Sequence, residues 1–222
     1  PDNAEAWARL ANVYAMEYGN RFNSRPAPHD ALAQSRDAAQ TVAELDPANA
    51  WARLALVRAH FFYRESEQLV VEAERAVALN PNNADVLASV GWYVAHAGRW
   101  EWGLELVQRA MALSPFYPNW YHQPFVDNHY RKREYEAALV RARQMNIPGL
   151  YFTYLNLAFV SGQLGRDDDA RAAVAELLAV YPNFAAEAYA VLRKWYHDEE
   201  HIAHIIDGLR KAGLDIPEAP AD

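Results

Sequence analysis

The sequence predicts an all-α solenoid of about six antiparallel helix pairs stacked in chain order. Three observations carry that expectation. Pro47, Pro81 and Pro115 follow one another at steps of 34 residues, Pro148 and Pro182 are again 34 apart, and the step between the two runs is 33. The words before the prolines rhyme: AELDP, VALNP, MALSP and LAVYP. Between prolines, small and turn-forming residues recur in the same order, as in Gly91, Gly98, Gly103 and Ala110, and again in Ala158, Gly165 and Ala170. A repeat of this period reads as one helical hairpin per unit.

The units are expected at 1–46, 47–80, 81–114, 115–147, 148–181 and 182–214, with a frayed tail at 215–222, in one solenoid domain over 1–222. Proline ends one helix because it lacks an N–H, and its fixed φ suits the first turn of the next. Asp2-Asn3, Asn82-Asn83 and Asn183 are placed to cap incoming helices. Gly98 and Gly165 fall where the first helix of a pair turns back, a place for positive φ. Gly91 with Gly103, and Ala158 with Ala170, are expected to let paired helices approach closely.

Two units are irregular. The first holds helices over NAEAWARLANVYAMEY and DALAQSRDAAQTVAEL, separated by a loop over residues 19–29 marked by Gly19, Pro26 and Pro28. In the fourth, Pro124 is expected to kink or split the first helix after Gln123, and YEAALVRARQM makes a short second helix. Gly208 and Gly213 are expected to loosen the last helix.

Composition narrows the function. The chain has 222 residues, 52% of them hydrophobic, enough to bury a core. It has no cysteine, so disulfides, thiolate nucleophiles and cysteine-held metals are excluded; that fits a reducing, cytoplasmic setting. The net charge of -8 argues against nucleic-acid binding, since Arg131-Lys132-Arg133 with Arg141 and Arg143 is the largest basic group. No run of residues has the length and apolarity to insert in a membrane. The start at Pro1, with no leader pattern after it, is expected of a processed or excised piece.

In stacked hairpins the first helix of each pair lines the inner face. The positions expected there include Arg58, Phe61, Phe62, Trp92 and His96, then Trp120, His122, His129 and Tyr130. Further along come Phe159, Tyr189, Arg193 and Tyr196. Aromatic side chains offer large, stiff contact area with polar edges, which suits a groove for an extended peptide or helix. Arg58 and Arg193 are candidates to pair with carboxylates. The competing reading makes Phe61, Trp92 and Phe159 fillers between units, and a third has the face closed by another part of the protein or by a second copy.

The features that suggest chemistry have plainer readings. Asp167, Asp168 and Asp169 resemble a metal cluster but stand at a helix start, where negative charge is favoured and one of them can cap. His197, His201 and His204 could share a helical face and hold zinc. However, a turn near Asp198-Glu199 separates them, and the zinc-protease word is absent. His122 and His129, with Asp127 and Asn128, are a further candidate pocket, spoiled in register by Pro124. There is no nucleophile elbow and no phosphate-binding loop, so no catalytic residue, no cofactor and no resident metal are expected.

The order of small, turn, aromatic and breaker residues, fullest in NPNNADVLASVGWYVAHAGRWEWGLELVQRAMALSP, resembles the tetratricopeptide repeat over nearly the whole chain. That resemblance implies a right-handed superhelix that binds proteins or peptides. More narrowly, AAQTVAELDPANA, the ALNPNNADV…SPFYPNWY stretch and GLRKAGL are similar to the C-terminal repeat regions of bacterial class III adenylate/guanylate cyclases and of repeat-bearing transcriptional regulators. The narrower resemblance implies a bacterial signalling module whose repeats sense, dock or oligomerise. Leu69 departs from the family's small residue and is expected to open the second pair. Pro124 and the shortened helix near Met145 distort the fourth unit, making Trp120, His122 and His129 a candidate specialised pocket.

Overall fold

The computed structural model describes residues 3–20 and 30–218. Asp2 as a cap, most of the expected first loop (21–29) and the end of the tail (219–222) lie outside the described residues. Twelve α-helices, one 3₁₀ turn and no strand are found among the described residues, so the expected fold class is the one observed. The helices gather into two compact units, Pro1–Tyr117 and Pro118–Asp222.

The N-terminal unit contains α1 (Ala4–Asn20), α2 (Ala31–Leu45), α3 (Ala50–Phe62), α4 (Ser66–Leu79), α5 (Ala84–His96) and α6 (Trp100–Leu113). Each helix packs on its hairpin partner, and first helices pack on one another, α1 on α3 and α3 on α5. The caps expected at Asn3 and Asn83 form, whereas Asn183, just ahead of the helix Phe184–Trp195, supplies no side-chain cap bond. Asn83 Oδ1 accepts from Val86 N at 3.1 Å, and Asn3 Oδ1 from Ala6 N at 3.1 Å. Asn49 and Asp30 cap α3 and α2 in the same way. The core where α1, α2 and α3 meet is rich in small residues: Ala8, Ala11, Ala38, Ala39, Ala52 and Ala55 are all almost fully buried. The close approach of α5 and α6 is backbone against backbone. A Cβ added at Gly91 would lie 2.6 Å from the Gly103 carbonyl oxygen and 2.8 Å from Val107 Cγ2. The corresponding place in α3–α4 is filled by Val57 and Leu69, both buried, and these two helices pack on each other less closely than α5 and α6, in keeping with a large residue in the small-residue slot.

The C-terminal unit opens with a 3₁₀ turn at Asn119–His122. It continues with α7 (Gln123–Arg131), α8 (Tyr135–Gln144), α9 (Tyr151–Gln163), α10 (Asp167–Val180), α11 (Phe184–Trp195) and α12 (Glu199–Lys211). Pro124 sits in the first turn of α7, where it is tolerated, so the expected split falls one residue earlier, at the 3₁₀-to-α junction. The three aspartates occupy the first turn of α10, but none supplies a cap bond. Asp168 instead pairs with Arg171 at 2.6 Å and Asp169 with Arg143 at 3.3 Å.

The sixth pair departs from the repeat. α12 packs chiefly on α9 and only slightly on its neighbour α11. Gly208 does not loosen it: a Cβ there would lie 2.7 Å from the Phe159 carbonyl oxygen, and one at Gly162 would collide with the Gly208 carbonyl. The two glycines let α9 and α12 cross at backbone contact. Gly213, with φ +91°, ends α12. The start of the tail is held, since Ile216 is buried and Arg210 Nη2 donates to its carbonyl at 3.0 Å.

Four hairpin turns share one backbone pattern but not one residue. Gly98 and Gly165 take positive φ as expected, while at the equivalent turns Arg64 (φ 59°) and Arg133 (φ 62°) do so. In each case the next residue's N–H reaches back five residues, at 2.9 to 3.0 Å. The two arginine turns carry a side-chain clasp across them. His60 Nδ1 lies 2.6 Å from Glu65 Oε2, and His129 Nδ1 lies 2.6 Å from Glu134 Oε2. A non-glycine residue in this conformation costs about 1–2 kcal/mol, and the clasps stand where that cost is met.

Candidate functional site

In the N-terminal unit, α3 and α5 bring together the residues expected on the inner face. Phe61 is fully buried, and its ring meets Trp92 at 5.7 Å and Tyr93 at 5.1 Å, both edge-on. Trp92, 9% exposed, stacks on His96 at 3.9 Å between ring centroids, and His96 Nδ1 bonds the Trp92 carbonyl at 2.7 Å. These three are interior side chains that fix α3 against α5. What reaches the surface is the neighbouring row. Phe62 and Tyr93 are half-buried, with Tyr18 edge-on to Phe62 at 5.0 Å. Met16 on α1 is 42% exposed.

Arg58 stands behind that row. It is buried, its Nη1 donates to Asn12 Oδ1, and its guanidinium lies 5.8 Å from the Tyr93 ring. Asn12 is itself held, donating to the Ala8 carbonyl at 2.7 Å and the Trp51 carbonyl at 3.2 Å. The cation is therefore fixed in place without a carboxylate neutralising it through these bonds. Burial pushes the Tyr93 phenol up, so it stays protonated and keeps its donor. Sequence spacing does not single out Tyr93. Its place beside Trp92 assigns it to a neighbouring side of the helix, and only the packing shows that it reaches the surface.

In the C-terminal unit, the same face is covered by the chain itself. Tyr130 and Phe159 are fully buried and meet edge-on at 4.4 Å. Tyr130 Oη donates to the His204 carbonyl on α12 at 2.8 Å and accepts from Gln163 Nε2 at 3.2 Å. Its ring stacks on His204 at 4.3 Å. Tyr135 Oη lies 2.8 Å from His204 Nε2, and burial holds that imidazole below its ordinary pKa, favouring the neutral ring. Gln163 also donates to Asp207 Oδ2 at 2.8 Å and accepts from Lys211 Nζ at 2.9 Å.

Below this contact lies a buried polar network. Gln123 Nε2 donates to Asp127 Oδ2 at 2.8 Å, Asn156 Nδ2 to Gln123 Oε1 at 2.6 Å, and Tyr196 Oη to Asp127 Oδ1 at 3.1 Å. Tyr196, just ahead of α12, is 3% exposed; burial and the Asp127 carboxylate keep its phenol well above its usual value.

The remaining candidates are scattered. His122 is buried; burial and Arg141, whose Nη1 is 3.4 Å from Nδ1, hold its pKa down. His129 clasps Glu134, and Trp120 packs on Tyr121 at 4.5 Å. Tyr189 and Arg193 are half-buried on α11, with Arg193 bonded to Glu199 at 3.1 Å. His201 and His204 pack α12 onto Tyr130 and Tyr196, and no group of three metal-ligating side chains forms among the described residues. No helix among them is long and apolar enough to cross a membrane.

No family model matches the chain, and no curated protein matches it in sequence. Solved structures do match. PilW, a widely conserved type IV pilus biogenesis factor, aligns at a TM-score of 0.67 and 15% identity over 95% of this chain and 89% of that one. TTC0263, a thermophilic tetratricopeptide-repeat protein of Thermus thermophilus, aligns at 0.64 and 15% identity, over 94% of this chain and 100% of that one. YrrB, a tetratricopeptide-repeat protein with an unusual peptide-binding site, aligns at 0.50 and 15% identity over 82% and 88%. At these identities the likeness is one of fold: the chain has the helical-hairpin fold of tetratricopeptide-repeat proteins.

Proposed function

We propose that the chain is a non-catalytic scaffold that binds a protein or peptide, and that its N-terminal unit receives the partner on the row formed by Met16, Phe62 and Tyr93 in front of Arg58. The observation that carries this reading is the fixed cation behind a half-open aromatic row. Arg58 is positioned by its bond to Asn12, with no ion pair to it among the described residues, and the rings before it offer stiff apolar area. Such a surface suits a peptide that brings an aliphatic side chain and a carboxylate. The fold agrees, and the peptide site of YrrB provides a precedent on the same kind of scaffold. Docking onto a further domain of a larger signalling protein, or onto a second copy, would use the same row.

Phe61 and Trp92 are poor probes, since truncating interior rings disturbs the α3–α5 packing. The informative variants are Phe62→Ala and Tyr93→Ala. Peptides selected from a random displayed library against the intact chain should lose about tenfold or more in affinity on the double variant, as expected for truncating an aromatic hot spot, with helical circular dichroism unchanged. Selected peptides that bind wild type and variant equally would contradict the reading.

A further inference from the structure

In the C-terminal unit the position of α12 calls for an explanation that the repeat does not supply. A second helix should close on the first helix of its own pair, yet α12 packs on α9 and touches α11 only slightly. It is strongly amphipathic: His201, Ile202, Ile205, Ile206 and Leu209 are buried, while Glu199, Glu200, Ala203 and Asp207 are exposed. The surface it covers includes Tyr130, Phe159 and Gln163, three positions of the first-helix face.

The fit is that of a bound ligand helix. Gly208 meets Gly162 at the crossing, Asp207 and Lys211 bracket Gln163, the Tyr130 hydroxyl bonds the helix backbone, and Tyr196 places its hydroxyl on Asp127. Tyr130, Gln163 and Asp127 on the receiving face are each matched by a polar group on the segment. Release of α12 would leave little α11–α12 packing to break.

We propose that residues 196–212 are a built-in occupant of the first-helix face of the C-terminal unit, and that this face takes in their place an aliphatic amphipathic helix from a partner. The incoming helix carries a glycine at the crossing and a tyrosine ahead of its first turn. The segment is thus both a template for the partner and its competitor. This rests on the reading that first-helix faces receive partners. The apparent affinity of an incoming helix is lowered by the fraction of molecules whose face is closed.

The test uses the full-length chain and a fluorescein-labelled synthetic peptide of residues 196–214. Gly208→Leu forces a side chain against the Phe159 carbonyl and the Tyr130 hydroxyl. By hydrogen exchange, the variant should lose amide protection in α12 while α9 and α10 keep theirs. By fluorescence anisotropy, the peptide should bind it at least about tenfold tighter than wild type, because the closed fraction has been removed. Loss of protection in α9 and α10 together with α12, retention of protection in α12, or release of α12 without tighter binding would each overturn the proposal.

Lys211→Ala, at the surface, removes the contacts to Gln163 and Asp207 without risk to the core, and should tighten peptide binding by about threefold. An unchanged affinity there overturns the proposal even if Gly208→Leu does not fold. Peptide binding to Gly208→Leu that is abolished by adding Tyr93→Ala would place the peptide on the N-terminal unit, overturning this inference while upholding the proposed function. A wild-type dimer that the peptide dissociates would assign the face to α12 exchanged between copies, and would overturn the commitment to a foreign helix.

Discussion

The face built by α3 and α5 and the face built by α7 and α9 draw on the same kinds of residue and meet different fates. On the first, Phe61 and Trp92 lock the helices together, Phe62 and Tyr93 beside them are half-buried with Arg58 behind, and Met16 is 42% exposed. On the second, Tyr130 and Phe159 take the locking role, but α12 lies over them and Tyr196 fills the polar recess at Asp127. Aromatic content therefore does not decide whether such a face is open. What distinguishes the second face is a segment of the chain with a fitting apolar ridge and a small residue, Gly208, at the crossing. The two close crossings make the same point. Gly91 and Gly103 close a hairpin whose halves are joined by a short turn, whereas Gly162 and Gly208 join elements far apart in sequence.

The largest expected effect separates those crossings. Gly91→Leu would drive a side chain into the Gly103 carbonyl, Val107 and Leu106. It should destabilise the N-terminal unit by about 3 kcal/mol or more, the upper range for overpacking, read as a fall in the urea midpoint. Gly208→Leu should leave the global midpoint nearly unmoved if α12 is a separable occupant. Equal losses from the two substitutions would dissolve the contrast.

A smaller effect distinguishes the turns. Arg64→Gly relieves a positive φ that glycine adopts freely and should raise stability by up to about 1 kcal/mol. A loss of stability would mean that the arginine side chain contributes more than its backbone costs. The smallest effect is pH-dependent. The hydrogen bond from His60 holds the Glu65 carboxyl below the usual glutamate range. A depressed folded pKa contributes stability that is present above the ordinary glutamate value and is lost as pH falls through the folded one. The thermal midpoint of wild type should therefore exceed that of Glu65→Gln near neutrality, with the gap closing as the solution is acidified below the glutamate range. A gap that persists at the acid end would remove the clasp from the account.

Much of this molecule is legible in its sequence because the informative signals are local. The proline period places the hairpins, Gly98 and Gly165 mark turns, and Gly91 with Gly103 announces a close pair. The arginine turns are less legible because the glycine slot holds another residue. The shared word, His followed four residues on by Arg-Glu in both HFFYRE and HYRKRE, is the available signal. The return of α12 onto α9 cannot be read from periodicity, since one amphipathic stripe fits either α11 or α9. Only Gly208, standing where a helix interior gains nothing from glycine, points to a close crossing. Spacing marks the aromatic positions of α3 and α5, but it does not separate Phe61, which is fully buried and locks, from Phe62, which is half-buried.

The contrast between the two faces is tested most directly by hydroxyl-radical footprinting of the wild-type chain. Phe62, Tyr93 and Met16 should be modified more readily than Tyr130, Phe159 and Tyr196, which should be protected to the level of interior residues such as Phe61. Modification of Tyr130 and Tyr196 at the rate of Tyr93 would contradict it.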